Sequence, residues 1–285
     1  IHLITIKPIL FGGLCSYYFK NIPIVASVSG LGFVFSDTGK FSKFRKKIIT
    51  LLYKLALNNK NNIVIFQNKD DRNTLLKITN LKKKNTRLIF GSGVDLNKYS
   101  VKPKESKPPI VLFAGRLLIS KGILDFIESS KYIRDIRFVI AGSFDQENPD
   151  CIKPSLINKM TSGGFIEYWG YKKNMIETIS RSSIVVLPSY YGEGLPKILI
   201  EAAACGKPVI TTDHPGCREA IINDVSGILI PIKSPIAIAN AIKKIISNES
   251  LRKSMGKEGR ILAEKNFSIK DVVSKHIDIY RDLIN

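Results

Sequence analysis

Residues 184–208 read as a strand, a glycine loop and a helix, and any fold for this chain has to house that unit. Ile184-Val185-Val186-Leu187 is an unbroken apolar run that ends at Pro188-Ser189, the pattern of a buried strand leading into a loop. Pro196 suits the first position of a helix, where its missing N–H costs nothing. Apolar residues at 198, 199, 202 and 203 share one helical face. Gly206 stands where a C-terminal cap belongs, with Pro208 behind it. A loop entering a helix offers backbone N–H groups and the positive end of the helix dipole, which suits a phosphate. Glu193 lies on the loop and Glu201 along the helix. Ionised carboxylates only accept hydrogen bonds, so this pair suits the hydroxyls on either side of a diphosphate. A sugar nucleotide has that layout. The same spacing also fits two solvated glutamates in any α/β protein.

The pattern repeats along the chain. Strands are expected at His2–Ile6, Ile22–Val28, Asn62–Phe66 and Arg87–Phe90, with helices after the first strand through Tyr18, over Phe41–Leu57 and over Asp70–Lys77. The stretch 101–109, with Lys102, Pro103, Lys104, Pro108 and Pro109, has the composition of a linker. A second series follows: strands at Ile110–Ala114, Ile136–Ala141, Phe165–Trp169, Ile184–Leu187, Val209–Thr211 and Gly227–Ile230. Helices are expected over Ile123–Tyr132, 151–161, Asn174–Arg181, 235–247, 250–265 and 269–283. Strands alternating with helices imply parallel, doubly wound sheets. The glycine loop Ser27-Val28-Ser29-Gly30-Leu31-Gly32 closes a strand, which is where such sheets bind ligands.

The chain is basic, with net charge +20, and residues 1–100 carry 17 Lys and Arg against 4 Asp and Glu. That charge invites nucleic acid or an anionic membrane surface, yet no nucleic-acid module is spelled out. The helix over 41–57 combines Lys43, Arg45, Lys46, Lys47 and Lys54 with Phe44, Ile48, Leu51, Leu52 and Leu55. It reads either as an interfacial amphipathic helix or as a helix packed on its own sheet with a solvated basic face. No apolar run is long enough to span a bilayer, and no signal peptide is expected. The four cysteines, Cys15, Cys151, Cys205 and Cys217, show neither close pairing nor metal-ligand spacing, and the three histidines are far apart. Free thiols and the lack of a histidine metal site are expected.

The wider motif is Glu193-Gly194-Leu195-Pro196, four residues, Glu201-Ala202, then Gly206-Lys207-Pro208-Val209-Ile210. It closely resembles the glutamate-pair signature of retaining glycosyltransferases of family 4, glycosyl transferases group 1. The resemblance implies an α/β protein of the GT-B fold: two Rossmann-like domains whose parallel sheets face across a cleft, the first incomplete here. The domains implied are 1–100 on the acceptor side, a linker over 101–109, and 110–285 for the nucleotide sugar, the last helix crossing back to the first domain. Gly115-Arg116 closes one strand and Ser120-Lys121-Gly122 opens the next helix. This pair resembles the family's diphosphate-binding cations. Gly170 and Tyr171, after Trp169, resemble the segment that meets the base. Asp213-His-Pro-Gly-Cys-Arg-Glu219 resembles the loop beside the donor sugar. Glu193, Arg116 and Lys121 are thereby expected to be catalytic. Glu201, Gly194, Leu195, Pro196, Gly115, Gly170, Tyr171, Lys7, Ser29 and Gly30 are expected to bind substrate.

Thr5-Ile-Lys7-Pro8 and Val28-Ser-Gly-Leu-Gly32-Phe-Val-Phe35 look like the bacterial O-antigen and capsule subgroup, which builds on polyprenyl-diphosphate-linked acceptors. Where family members carry a histidine after the strand matching 24–28, this chain reads Ser29. No Asp-x-Asp occurs, so the expected enzyme is metal-independent and without cofactor. Arg116, Lys121 and the amides around Gly194 would stabilise the departing diphosphate. The implied activity is retaining transfer of a hexose or N-acetylhexosamine from a nucleotide sugar, UDP-linked by expectation, to a lipid-diphosphate-linked saccharide. The implied setting is the cytoplasmic membrane face, peripheral to an anionic surface, with no nucleic acid. A nucleotide-sugar 2-epimerase of the same fold, a non-catalytic nucleotide-binding fragment and a basic nucleic-acid binder are the alternatives. The chain opens at Ile1 inside an apolar run, so a fragment is expected, one that binds nucleotide through its second domain and lacks part of its first.

Overall fold

The computed structural model describes residues 1–19, 21–32, 40–58, 62–102, 106–164 and 166–284. Among the features above, Phe33–Phe35, the Phe41 and Lys43 side chains, residues 103–105 and Phe165 lie outside the described residues. The chain forms two compact units. One comprises Ile1–Gly93, Tyr191–Pro196 and the final segment from Ile269; the other comprises Val94–Tyr190 and Lys197–Ser268.

In the first unit, β1 (His2–Ile4), β2 (Ile24–Val28), β3 (Asn62–Phe66) and β4 (Thr86–Leu88) lie side by side in that order, all parallel. The intervening helices are α1 (Ile6–Cys15), α2 (Lys40–Ala56) and α3 (Lys69–Ile78). β1 stops short of the apolar run His2–Ile6 because Thr5 turns out of the strand with φ 70° and ψ 170°, a conformation rare for a β-branched residue. Its N–H donates to Ser27 O at 3.2 Å, and α1 begins at the next residue. Ile9, Leu10, Tyr53, Ala56 and Leu75 from the helices close over Ala26, Val28, Val64 and Phe66 of the sheet.

Among the described residues, the second unit has six parallel strands in the order β10-β9-β8-β5-β6-β7. These are β5 (Ile110–Ala114), β6 (Arg137–Ala141), β7 (Ile166–Tyr168), β8 (Ile184–Leu187), β9 (Val209–Thr212) and β10 (Gly227–Ile230). Helices α4 (Ile123–Ser129), α5 (Pro154–Ser162), α6 (Met175–Arg181), α7 (Lys197–Ala204), α8 (Pro235–Ile246) and α9 (Glu249–Asn266) connect and follow them. Every residue of β5 and β8 is buried, which is why both read as continuous apolar runs. The rings of Phe113, Phe126 and Phe138 pack in series at tilted angles, with centroids 5.6 and 5.4 Å apart. The helix expected over 151–161 starts at Pro154 instead. Cys151 bridges to Leu118, and the Ile152 N–H donates to Leu117 O at 2.9 Å. That pairing holds the chain extended until proline opens the first turn.

The last helix, α10 (Ile269–Ile284), belongs to the first unit. It buries Val272 and Ile279 against Val25, Ile65 and Ile89. The Tyr280 hydroxyl lies 2.8 Å from His2 Nδ1, and His2 Nε2 lies 2.7 Å from Ser27 Oγ. Burial, with lesser contributions from His276 and the N-terminal ammonium, holds the His2 pKa below its usual value. The ring therefore stays neutral at pH 7 and links the first strand to the last helix. Truncating Ile279 removes methyl groups from a site that is 6 % exposed. Ile279→Ala is expected to destabilise the first unit by about 2–4 kcal/mol and to speed amide exchange across 269–284. Urea unfolding and hydrogen exchange measure both, and parental exchange along α10 would contradict this packing.

Candidate active site

The second sheet reverses direction between β5 and β8: β6 and β7 extend it one way, β9 and β10 the other. Doubly wound sheets bind ligands outside the C-terminal ends of their strands at such a point. A cavity of about 320 Å³ lies there, bounded by Gly115 and Arg116 after β5, Gly142 and Ser143 after β6, Tyr171 after β7, and Glu201 of α7. Its floor is bare backbone. A Cβ on Gly142 would come within 1.8 Å of Gly115 O, so no side chain fits. The Gly142 N–H donates to Gly170 O at 2.9 Å, tying the ends of β6 and β7 together.

Lys121 ends a short 3₁₀ turn, and its side chain passes over Gly115, with Cδ 3.6 Å and Nζ 3.8 Å from where a Cβ would stand. Gly122 follows in the left-handed region at φ 76°, and a Cβ there would meet Pro188 O at 2.1 Å. Glycine thus lets the start of α4 sit directly on the end of β8. Arg116 extends from the β5 end, where Nη1 donates to Asp145 at 2.9 Å. Both side chains of this pair are partly exposed, so the pair is worth only about 0–1 kcal/mol. A diphosphate offering bidentate acceptors can displace Asp145 from it.

Glu201 is 6 % exposed and takes a hydrogen bond from the Tyr99 hydroxyl at 2.8 Å, with Lys197 Nζ at 3.9 Å. Burial raises its pKa, while Tyr99 and Lys197 pull the other way. Tyr99 is itself fixed through its carbonyl, which accepts from Arg260 Nη1 at 2.6 Å. The result is a desolvated, oriented carboxylate on the wall of a cavity that also holds a guanidinium. Tyr99 stands out only in three dimensions, since it lies 102 residues before Glu201 in a stretch that reads as polar loop.

Glu193, Gly194, Leu195 and Pro196 belong to the first unit, where the loop is clamped at the C-terminal ends of β2 and β3. Asn68 caps α3 by accepting from Asp71 N at 2.7 Å, and its Nδ2 donates to the carbonyls of Gly194 at 3.1 Å and Glu193 at 3.3 Å. Gln67 Oε1 accepts from Leu195 N at 3.2 Å. Gly192 O accepts from Gly32 N at 3.0 Å, and a Cβ on Gly30 would come within 2.4 Å of that oxygen. Gly194 likewise has no room for a side chain between Gln67 and Ser29. This amends the picture of an open loop with its amides free. The Leu195 N–H is taken by Gln67, and the Glu193 N–H by Tyr191 O at 2.7 Å. Those two amides are engaged in holding the loop. Gln67 and Asn68 gave no signal in the sequence beyond following a strand.

Among the other residues singled out, Ser29 and Gly30 flank that loop, while Lys7 is exposed on the first turn of α1. Tyr171 lines the cavity and Gly170, just before it, accepts from Gly142 N through its carbonyl, while Trp169 packs elsewhere. Its ring lies under the Arg181 guanidinium at 4.7 Å, and its Nε1–H donates to Glu167 at 3.0 Å. The 213–219 loop is held from within by Arg218 on Asp213 at 2.7 Å and by Gly216 N on Glu219 at 2.9 Å. Lys172 and Lys173, which directly follow Tyr171, also line the cavity; the sequence reading did not single them out. Among the described residues, no group of three His, Cys, Asp or Glu side chains could hold a metal ion.

Residues 96–262 match the family model for glycosyl transferases group 1. The chain is 30 % identical over 290 residues to the N,N'-diacetylbacillosaminyl-diphospho-undecaprenol alpha-1,3-N-acetylgalactosaminyltransferase of Campylobacter jejuni, covering 94 % of this chain and 75 % of that protein. It spans about half the length of the other curated relatives it matches. Its fold matches sucrose-phosphate synthase of Thermosynechococcus elongatus with TM-score 0.84 at 23 % identity, over 100 % of this chain and 73 % of that one. It also matches Anabaena Alr3699/HepE in complex with UDP, with TM-score 0.81 at 17 % identity over 99 % and 78 %. With two parallel α/β sheets in the GT-B fold, this chain belongs to the glycosyl transferases group 1 family.

Proposed function

We propose that this glycosyltransferase moves a hexose or N-acetylhexosamine from a UDP-sugar to a polyprenyl-diphosphate-linked saccharide in surface polysaccharide synthesis, with retention of configuration. The observation that carries the reading is the buried Glu201 carboxylate, oriented by Tyr99, on a cavity shared with Arg116 and floored by Gly115 and Gly142. Glu201 accepts from the ribose hydroxyls. Arg116 and Lys121 meet the diphosphate, where negative charge grows as the sugar departs. Gly170 and Tyr171 take the base. Glu193, with Gly194, Leu195 and Pro196, meets the donor sugar, and Lys7, Ser29 and Gly30 lie on the acceptor side. No metal is needed in this scheme. The Campylobacter relative acts on an undecaprenol-diphosphate-linked sugar and the Anabaena neighbour binds UDP, which supports the acceptor and donor classes.

A lipid-linked acceptor sets the work at the cytoplasmic face of a membrane. No helix among the described residues is long and apolar enough to cross one. Helix α2 offers a surface contact instead. It turns Ile49, Leu52, Tyr53 and Ala56 to the core and leaves Phe44, Ile48, Leu51 and Leu55 exposed in a row, with Phe44 68 % exposed. Lys46, Lys47 and Lys54 are exposed on the same helix. An exposed apolar row beside lysines suits an anionic interface. Vesicle sedimentation is expected to show binding to anionic but not neutral lipid, weakening with salt. Lys46→Glu with Lys47→Glu should abolish it, and salt-insensitive binding would remove the electrostatic part of the reading.

The reaction itself is tested by incubating the protein with a panel of nucleotide sugars and a synthetic lipid-diphosphate saccharide, then weighing the products. Transfer to the lipid acceptor is expected. Epimerised free nucleotide sugar, or tight retention of an oligonucleotide in place of UDP, would favour the rival activities.

Single substitutions assign the roles. Glu201→Ala is expected to weaken UDP binding by about 1.5–3 kcal/mol, the worth of hydrogen bonds to a charged acceptor. Tyr99→Phe should cost a smaller part of that. Glu193→Ala should spare UDP binding and impair transfer. Arg116→Ala and Lys121→Ala should lower turnover far more than donor affinity. Calorimetry and steady-state kinetics separate these cases, and parental UDP affinity in Glu201→Ala would sink the ribose assignment.

A further inference from the structure

Two loops meet at the cavity of the second unit. One follows β5 and carries Gly115, Arg116 and Lys121; the other, residues 142–153, joins β6 to α5. The second loop is laid along the first. Leu117 N donates to Ser143 O at 3.1 Å, and Leu118 bridges to Cys151 in antiparallel fashion. Its start is anchored on β7. The Tyr168 hydroxyl donates to Gly142 O at 3.0 Å, and the Phe144 and Tyr168 rings meet edge-on with centroids 5.8 Å apart.

The composition of this loop runs against the cavity it borders. In a chain of net charge +20, Asp145, Glu147 and Asp150 all fall within 145–150, beside a cavity whose proposed ligand is a diphosphate. Carboxylates there repel such a ligand unless they have another task. Glu147 is exposed. The two aspartates are tied to each other through Asn148. Its N–H donates to Asp145 O at 2.9 Å, and its Oδ1 accepts from Asp150 N at 3.0 Å, a local asparagine turn. The Asp145 N–H closes the loop onto Cys151 Sγ at 3.3 Å.

Each aspartate holds a different part of the first loop. Asp145 accepts from Arg116 Nη1 at 2.9 Å. One carboxylate oxygen of Asp150 accepts from the Ser120 N–H at 2.9 Å and from the Ser120 hydroxyl, and its carbonyl accepts from the Ile119 N–H at 2.9 Å. The N–H groups of Lys121 and Gly122 turn back to Leu118 O at 3.1 Å and Ile119 O at 2.8 Å. Every N–H of 119–122 is thus engaged, and Asp150 holds those of Ile119 and Ser120. Ser120 O also accepts from Tyr190 N, after β8, at 2.8 Å. Lys121 leaves the backbone one residue beyond this junction. Hydrogen bonds to an ionised carboxylate are the stronger kind, so Asp150 fixes the direction in which Lys121 sets out.

We propose that loop 142–153 is the positioning element for the two cations at the diphosphate. Asp150, acting through Ser120, aims Lys121, and Asp145 is the resting counter-ion that holds the Arg116 guanidinium until the donor takes it over. This rests on the reading that Arg116 and Lys121 meet the diphosphate. The two aspartates then act with opposite sign, since Asp145 competes with the donor while Asp150 supports it.

Calorimetry with UDP and with uridine tests both. Asp145→Asn is expected to bind UDP about threefold more tightly, the modest worth of a partly exposed ion pair, with uridine affinity unchanged. Asp150→Ala should weaken UDP by a similar factor, as Lys121→Ala does. The double variant Asp150→Ala/Lys121→Ala should bind no more weakly than Lys121→Ala alone, the non-additive result of a residue that acts through another. Asp150→Asn keeps an acceptor for Ser120 and should retain the parental affinity, and Ser120→Ala should lose part of it. The proposal is overturned if Asp145→Asn binds UDP no more tightly than the parent, or if the losses of Asp150→Ala and Lys121→Ala add. Losses in Arg116→Ala and Lys121→Ala beside an unchanged Asp150→Ala would overturn the proposal alone. Parental UDP affinity and turnover in both Arg116→Ala and Lys121→Ala would overturn the diphosphate reading, and the proposal with it.

Discussion

The parallel pairing of β5 with β8 is the contact on which the second unit depends. Val111 and Leu112 of β5 lie beside Ile184 and Val185 of β8, although 73 residues separate Val111 from Ile184. All the strands between them run to one side of β5, so the return to β8 reverses the direction of winding. That reversal leaves the ends of β5 and β8 without a connection crossing between them, and the crevice beyond the sheet follows from it. Glycine then determines how close the backbones come. Gly142 against Gly115 O, and Gly122 against Pro188 O, have no space for a β-carbon, so the backbones at these strand ends approach closely, and the ends of β5, β6 and β7 border one cavity.

Helix α7 carries the consequences of this arrangement along its length. Its first turns present Glu201 to the crevice, and its last carbonyl is held by Arg260. The same guanidinium takes the carbonyl of Tyr99, whose hydroxyl orients Glu201. One cation on α9 therefore fixes both the end of the helix and the residue that aims its carboxylate. The arrangement is polar and half-buried around the buried Glu201, and where water is excluded such networks hold geometry when their members are satisfied.

Much of this was legible in the chain because local chemistry and fold agree. Ile110–Ala114 and Ile184–Leu187 read as buried strands, and proline at 196 and glycine at 206 marked the bounds of a helix. The glutamate-pair motif carried the family, which the match over 96–262 bears out. Where local reading slipped, a distant partner had intervened. Thr5 leaves β1 early with its N–H donated to Ser27 O, and Cys151–Ile152 stays extended through its pairing with Leu117 and Leu118. On α2 the exposed row of Phe44, Ile48, Leu51 and Leu55 is as apolar as the buried one, so periodicity alone did not say which face meets the sheet.

The sequence by itself determined that the chain is α/β, where its strands and helices fall, and which residue types stand at the strand ends where chemistry occurs. These follow from apolar period, capping and backbone restriction, which act within a few residues. Only the tertiary structure decided that Tyr191–Pro196 joins the first unit through Gln67 and Asn68, that Tyr99 orients Glu201, and that Asp145 and Asp150 hold Arg116 and Ser120. Each of these rests on hydrogen bonds or charges brought together across 29 to 128 residues of chain. Such a meeting is set by sheet order and helix packing, and no local pattern encodes it.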